Sequence, residues 1–308
     1  GTNKGIALTV DCNGRYCYLD AYAGGAHAVA EAARNLSCVG AEPLAVTDCL
    51  NFGNPERPHV FYQMESAVAG IADACNALNL PVVSGNVSLY NEANGVPVMP
   101  TPVVGMIGLL EDVERRASMA LREGLVIGLL TGVADEERRT KDESSLGASE
   151  YVEACLGLKA GRPVALDFDA ERAVQAACRQ AIREGLVDVA HDCSDGGLAV
   201  ALAEMCIAGG VGAAVSLDEL ASGIHPATNT RHNTRADVLL FGEEPSRIII
   251  ALSHDAVEQV EGIAASFGAR LVQLGEVQDE HMTFSRGGAA VASLAVARLS
   301  RAWSESLG

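Results

Sequence analysis

Residues 82–92 read VVSGNVSLYNE: two β-branched apolar residues run into Ser84-Gly85-Asn86, then Ser88, then Tyr90-Asn91-Glu92. The apolar pair predicts a strand, and the glycine and amides that follow predict its end in a turn. The stretch carries more hydroxyl and amide groups than turning requires. Two readings stay open on these residues alone, a solvated loop and a binding loop.

The flanking sequence alternates strand-like and helix-like segments. LAVTD (44–48) reads as a short strand ending in an acid, and VVGMIGLL (103–110) as a strand buried on both faces. IALTV (6–10) and RYCYL (15–19) flank Asn13-Gly14, which predicts a hairpin. Ala28, Val29, Ala32, Leu36 and Val39 recur at helical spacing until Gly40 and Pro43 stop them. Phe61, Met64, Val68, Ile71, Cys75 and Leu78 form a second apolar stripe.

The charged run Glu111–Arg116 marks the expected boundary between a first lobe, 1–112, and a second, 113–308. Beyond it, LVIGLL (125–130) and RIIIAL (247–252) read as strands, and the run 134–145 as a mobile polar loop. A helix through Ala173–Ile182 is expected to be capped by Asp169 and ended by Gly185. A further helix follows Asp195-Gly196-Gly197, and another runs through Val257, Val260, Ile263 and Phe267. The fold class is therefore α/β or α+β in two lobes.

Composition narrows the chemistry. A net charge of −18, from 22 basic and 40 acidic residues, leaves no basic face for a nucleic-acid backbone. A nucleotide stays possible, because one helix N-terminus and one Mg²⁺ neutralise phosphates locally. No apolar run spans a membrane and no signal peptide is evident. The nine cysteines include no Cys-x-x-Cys pair and predict reduced thiols in a cytoplasmic protein. Gly1–Gly5 enters a strand almost at once, as if the chain continued from something longer.

The common phosphate-binding, hydrolase and zinc motifs are missing, and no nucleophile stands beside a base. Three polar clusters remain. In TDCLNFGNPE (47–56), Asp48 is either an Asx-turn residue or a ligand for a hard cation or ribose. In the opening stretch, Gly85 admits a ligand to the backbone, Asn86 offers an amide oxygen and Ser88 a hydroxyl. In HDCSDGGL (191–198), Asp192, Ser194, Asp195, Gly196 and Gly197 precede a helix, which suits either an anion or a plain cap by Ser194 or Asp195.

Six segments in this order carry a resemblance: YLDAYAGGAHAVAEAARNLSCVGAEPLAVTDCLNFGNPE (18–56), VVSGNVSLYNE (82–92), PTPVVGMIGLLEDV (100–113), LGASEY (146–151), HDCSDGGLAVALAEMC (191–206) and LLFGEEPSRIIIAL (239–252). Together they resemble the C-terminal half of the phosphoribosylformylglycinamidine synthase family, within the aminoimidazole-ribonucleotide-synthetase-like superfamily. The resemblance implies a first lobe that pairs with a counterpart lobe, followed by a second α/β lobe. It implies an ATP-dependent ligase that turns formylglycinamide ribonucleotide and glutamine-derived ammonia into the amidine, with ATP and Mg²⁺ as cofactors.

Carried over by position, the family's ATP contacts fall on Asp48 and Gly85, its Mg²⁺ ligand on Asn86 and its substrate contact on Ser88. Asp192, Ser194, Asp195, Gly196 and Gly197 correspond to an auxiliary anion or nucleotide loop. The family's catalytic histidines lie in the half absent here, so none of the seven histidines inherits that role. The implied partners are the N-terminal half, a glutaminase and, in place of the missing half, a second copy of the chain. Alternatives are another ATP-using kinase of the superfamily and a non-catalytic half with a structural nucleotide site. Three departures stand out: Ala21 where the family has Pro, Ala148 for Gly and Cys193 for Val.

Overall fold

A computed structural model describes residues 1–132, 145–222 and 235–306. The polar run 134–144 lies outside the described residues. The first lobe contains β1 (Gly5–Asp11), α1 (Gly14–Leu19), α2 (Ala21–Cys38), β2 (Glu42–Asn51), α3 (Pro58–Leu78), β3 (Val82–Ser88), a small hairpin of β4 (Glu92–Ala93) and β5 (Val96–Pro97), and β6 (Thr101–Leu110). Its sheet has the order β1-β6-β2-β3, with β2 and β3 parallel and the other pairs antiparallel.

The second lobe contains β7 (Val126–Gly132), α4 (Glu150–Leu156), α5 (Phe168–Arg183), β8 (Val187–Asp192), α6 (Gly197–Gly209), β9 (Gly212–Ser216), α7 (Asp218–Ser222) and α8 (Ala236–Phe241). It continues through β10 (Arg247–Leu252), α9 (Val257–Phe267), β11 (Ala269–Gln278), β12 (His281–Arg286), β13 (Ala289–Ala295) and α10 (Val296–Glu305). The seven strands run in the order β13-β12-β9-β11-β7-β10-β8. One face carries a core shared with α5 and α9, the other a core shared with α6, α8 and α10. Among the described residues no helix is long and apolar enough to cross a membrane.

Small residues set the packing of the first lobe. A Cβ on Gly70 would lie 2.0 Å from the Tyr22 carbonyl, and one on Gly25 would lie 2.3 Å from that of Ala67, so α2 and α3 cross backbone to backbone. That crossing chooses the buried face of α3. Val60, Ala67, Ile71 and Ala74 are buried, whereas Phe61 and Val68 of the expected stripe are exposed.

Four local expectations change. No hairpin forms at Asn13-Gly14: the Asn13 side chain accepts from the Tyr16 amide at 3.0 Å and caps α1, while β1 pairs with distant β6. The cap outweighs the turn preference because it lets Tyr16 and Cys17 bury. β6 is buried on one face only, alternating along its length. Asp167, not Asp169, caps α5, accepting from the amides of Asp169 and Ala170. Neither Ser194 nor Asp195 caps α6; Gly196, in the left-handed region, stands at its start.

The other face of the first sheet is uncovered. Ile6, Leu8 and Val10 of β1 point outward at 70%, 75% and 70% exposure, and Leu44 of β2 is exposed as well. Helices α2 and α3 cover the opposite face, so this side offers a row of aliphatic groups to solvent.

Candidate functional site

The opening stretch does not turn where its composition predicts. Ser84, Gly85 and Asn86 lie inside β3, and β2 likewise continues past Asp48 to Asn51. Parallel pairing with β2 supplies the hydrogen bonds that keep β3 extended. β3 is the sheet's edge, exposed along nearly all its length.

Register decides what meets what. Asp48 stands opposite Gly85, Cys49 opposite Asn86, and Asn51 opposite Ser88. A Cβ on Gly85 would lie 2.2 Å from Asp48 Oδ1, so the carboxylate lies across bare backbone. Burial raises the Asp48 carboxyl above its ordinary value. Asp48 shares its face with Val46 and Leu50, toward the helices. Asn86 and Ser88 alternate onto the open face, where Thr47 and Ser84 hydroxyls meet at 2.7 Å. The four residues are thus on adjacent strands but on two faces, which join only at the free edge of β3.

The turn after β3 is fixed by Asn91. Its side-chain amide donates to the carbonyls of Ser88 at 2.9 Å and Phe52 at 3.1 Å, and to the Ser88 hydroxyl at 3.2 Å. Arg57 pairs with Glu92 at 3.3 Å across the neighbouring loop. The polar excess in residues 84–92 therefore divides between residues that hold the turn and residues that face outward. Among the described residues no group of three or more His, Cys, Asp or Glu side chains could hold a metal ion. Asn86 can contribute one neutral oxygen to Mg²⁺, which suits an ion that keeps several waters; the remaining ligands must come from elsewhere.

HDCSDGGL lies at the joint between the lobes. Arg34 on α2, 2% exposed, donates to Glu171 on α5, and its Nε lies 3.8 Å from Asp192 Oδ2. Burial alone would lower the Arg34 pKa; Glu171, Asp192 and Glu31 outweigh it and hold the guanidinium charged. Asp11, bonded to Asn35 at 2.9 Å, is raised to about 6, mainly by burial, against the favourable bonds from Thr9 and Asn35. Asn13 donates to Asp195 at 2.7 Å.

The start of α6 already holds an anion. Glu243, 4% exposed, accepts from the Gly196 amide at 2.8 Å, the Glu150 amide at 2.7 Å and the Tyr16 hydroxyl at 2.6 Å. Sequence reasoning missed Arg34, Glu171 and Glu243. Arg34 left one trace, a long cation within the Ala-rich buried stripe of α2.

The three departures have local accounts. Ala148 takes φ +61°, the left-handed region that favours glycine, and its carbonyl accepts from Arg15 at 2.6 Å. Ala21 is the first residue of α2, a position where proline is well tolerated. Cys193 sits in the second lobe's core as a small apolar group, its thiol raised to about 12 chiefly by burial.

Residues 1–110 match the AIR synthase related protein, N-terminal domain, and residues 128–287 match the corresponding C-terminal domain. The chain belongs to the AIR synthase-related family. It is 48% identical over 307 residues to phosphoribosylformylglycinamidine synthase subunit PurL of Moorella thermoacetica, covering 100% of this chain and 39% of that protein. It is also 48% identical over 300 residues to the subunit of the same name from Anaeromyxobacter sp. (strain Fw109-5), covering 97% and 37%. The chain thus spans under two fifths of the length of these curated relatives. A solved structure of Thermotoga maritima PurL complexed with FGAR superposes with a TM-score of 0.78 at 22% identity, over 96% of this chain and 46% of that one. At that identity the likeness speaks for the AIR synthase-related fold.

Proposed function

We propose that this chain is the C-terminal portion of an ATP-dependent ligase that converts formylglycinamide ribonucleotide and ammonia to formylglycinamidine ribonucleotide in purine biosynthesis. The observation that carries the reading is the pairing of Asp48 with Gly85 at a free sheet edge, beside Asn86 and Ser88. The Asp48 carboxylate occupies the space over the Gly85 backbone, so ATP would meet this pair along the free edge of β3, with Asp48 lining the approach. Asn86 offers its amide oxygen to Mg²⁺, and the Ser88 hydroxyl faces the ribonucleotide. Mg²⁺, when bound, neutralises phosphate charge during phosphoryl transfer. Positioning and electrostatics suffice for this wall of the site, since phosphoryl transfer asks little covalent chemistry of the protein.

The uncovered face bearing Ile6, Leu8 and Val10 supports a counterpart lobe as partner, from the N-terminal half or, without it, a second copy of this chain. A glutaminase supplies ammonia in the complete enzyme, and the setting is cytoplasmic. The boundary falls at residue 112, between the two sheets. The loop 191–198 serves this reading as an internal latch, because a nucleotide phosphate at α6 would have to displace Glu243. The test is complementation. Mixed with the separately expressed N-terminal portion, the chain is expected to release ADP only with formylglycinamide ribonucleotide and ammonia both present. Turnover of ATP by this chain alone on a different small-molecule acceptor would overturn the reading.

A further inference from the structure

Cys12 and Cys17 bracket the first turn of α1. Asn13 is its cap, so Cys12 stands one residue before the cap and Cys17 at the fourth helical position. Side chains at these two positions pack across the start of a helix, usually as an apolar staple. Here both are thiols. The cap holds the arrangement closed: the Cys17 amide donates to the Asn13 carbonyl at 3.1 Å and the Tyr16 amide to the Asn13 side chain at 3.0 Å.

Hydrogen bonding with Cys12, with burial second, raises the Cys17 thiol well above its ordinary value. Cys17 is fully buried, its backbone and sulfur close against Gly24 of α2, whereas Cys12 is half-buried and reaches solvent. A second thiol pair, Cys38 and Cys178, is buried on both sides. An oxidant therefore meets Cys12 first, with its partner already in place.

We propose that Cys12 and Cys17 are a redox modification site, closing to a reversible disulfide when a hydroperoxide is present. The Cys12 thiolate attacks the peroxide oxygen, the O–O bond breaks, and Cys12 becomes a sulfenic acid as water or an alcohol leaves. The Cys17 sulfur then attacks the Cys12 sulfur; the S–O bond breaks, and hydroxide leaves with the Cys17 proton as water. Two thiols lose two electrons and two protons, and the peroxide is reduced.

The residues inside the resulting ring carry the contacts to the second lobe. Asn13 donates to Asp195 at 2.7 Å, Arg15 to Glu150 at 2.5 Å and Tyr16 to Glu243 at 2.6 Å. Oxidation thus fixes the element that joins the lobes, and a thiol reductant releases it.

The experiment is peroxide treatment of the folded chain, alkylation, and non-reducing tryptic mapping. Cleavage after Arg15 separates the cysteines into peptides 5–15 and 16–34. A linked species of these two peptides, lighter than their sum by two hydrogens, is expected. It should vanish with dithiothreitol and be lost completely in Cys12→Ser, a substitution at a partly exposed site that keeps the fold testable. Cys38 and Cys178 should remain alkylatable only after unfolding. Three results would overturn the proposal: Cys12 carrying two or three oxygens with Cys17 still a thiol, peptide 5–15 linked to any other cysteine, or Cys12 unmodified throughout the titration.

Discussion

Replacing Arg34 by methionine tests what holds the lobes together. Arg34 and Glu171 are 2% and 0% exposed, and Asp192 lies within ion-pair range at 3.8 Å. Methionine keeps much of the volume but leaves Glu171 and Asp192 without their shared cation. Removing one partner of a buried pair costs about 3–5 kcal/mol, a large share of the roughly 5–15 kcal/mol that stabilises a typical domain. Urea unfolding followed by circular dichroism at pH 7 is the assay, with the midpoint read against wild type. Arg34→Met/Glu171→Leu should recover part of the loss, because it removes the stranded charge as well. The deficit should also shrink toward pH 5. Burial already raises the Glu171 carboxyl and Arg34 opposes that, so without Arg34 Glu171 binds a proton more readily than in the unfolded chain and acid favours the folded variant relative to its state at pH 7. A variant within about 1 kcal/mol of wild type, or a deficit that grows as pH falls, would refute the reasoning.

Further substitutions probe single features. Burial pulls the His191 pKa down, but hydrogen bonds to Asp192 and Glu204 outweigh it and raise it to about 10. Its stabilisation is therefore complete below its unfolded value near 6.5 and lost as pH rises through about 10; His191→Gln should show its deficit at pH 6 and none above pH 10 in the same unfolding assay. Ala148→Gly should raise stability by about 1 kcal/mol, seen as a higher thermal midpoint, because it removes a left-handed non-glycine residue. Gly85→Ala should destabilise the chain by about 1–3 kcal/mol, since the methyl meets Asp48 Oδ1 at 2.2 Å, and should weaken ATP more than formylglycinamide ribonucleotide in KM measurements on the complemented enzyme.

What was legible in the sequence followed local rules. RIIIAL is buried at every residue because β10 lies between β7 and β8 with helices on both sides. The helix read from Ala28, Val29, Ala32 and Leu36 is α2 and all four are buried, although α2 is buried on nearly every side rather than along that stripe alone. What failed depended on distant partners. Glycine and asparagine at 85–86 predict a turn, yet β2 supplies a ladder that keeps them extended. Asn13-Gly14 predicts a hairpin, yet β1 finds β6 about a hundred residues on, as Val10 opposite Gly105. Asp48 was legible as a candidate, but its position over Gly85 depends on register. The Arg34–Glu171 pair joins residues 137 apart, so no local pattern reveals it.

The free edge of β3 is proposed as one wall of an ATP, magnesium and ribonucleotide site. The most direct measurement is ammonia-dependent ADP release by the chain complemented with its N-terminal portion, comparing wild type with Asn86→Ala across a magnesium titration. Asn86→Ala is expected to lose at least about tenfold in rate at low magnesium, equivalent to about 1.4 kcal/mol, with partial recovery as magnesium rises. An Asn86→Ala enzyme with wild-type rate and wild-type magnesium dependence would contradict it.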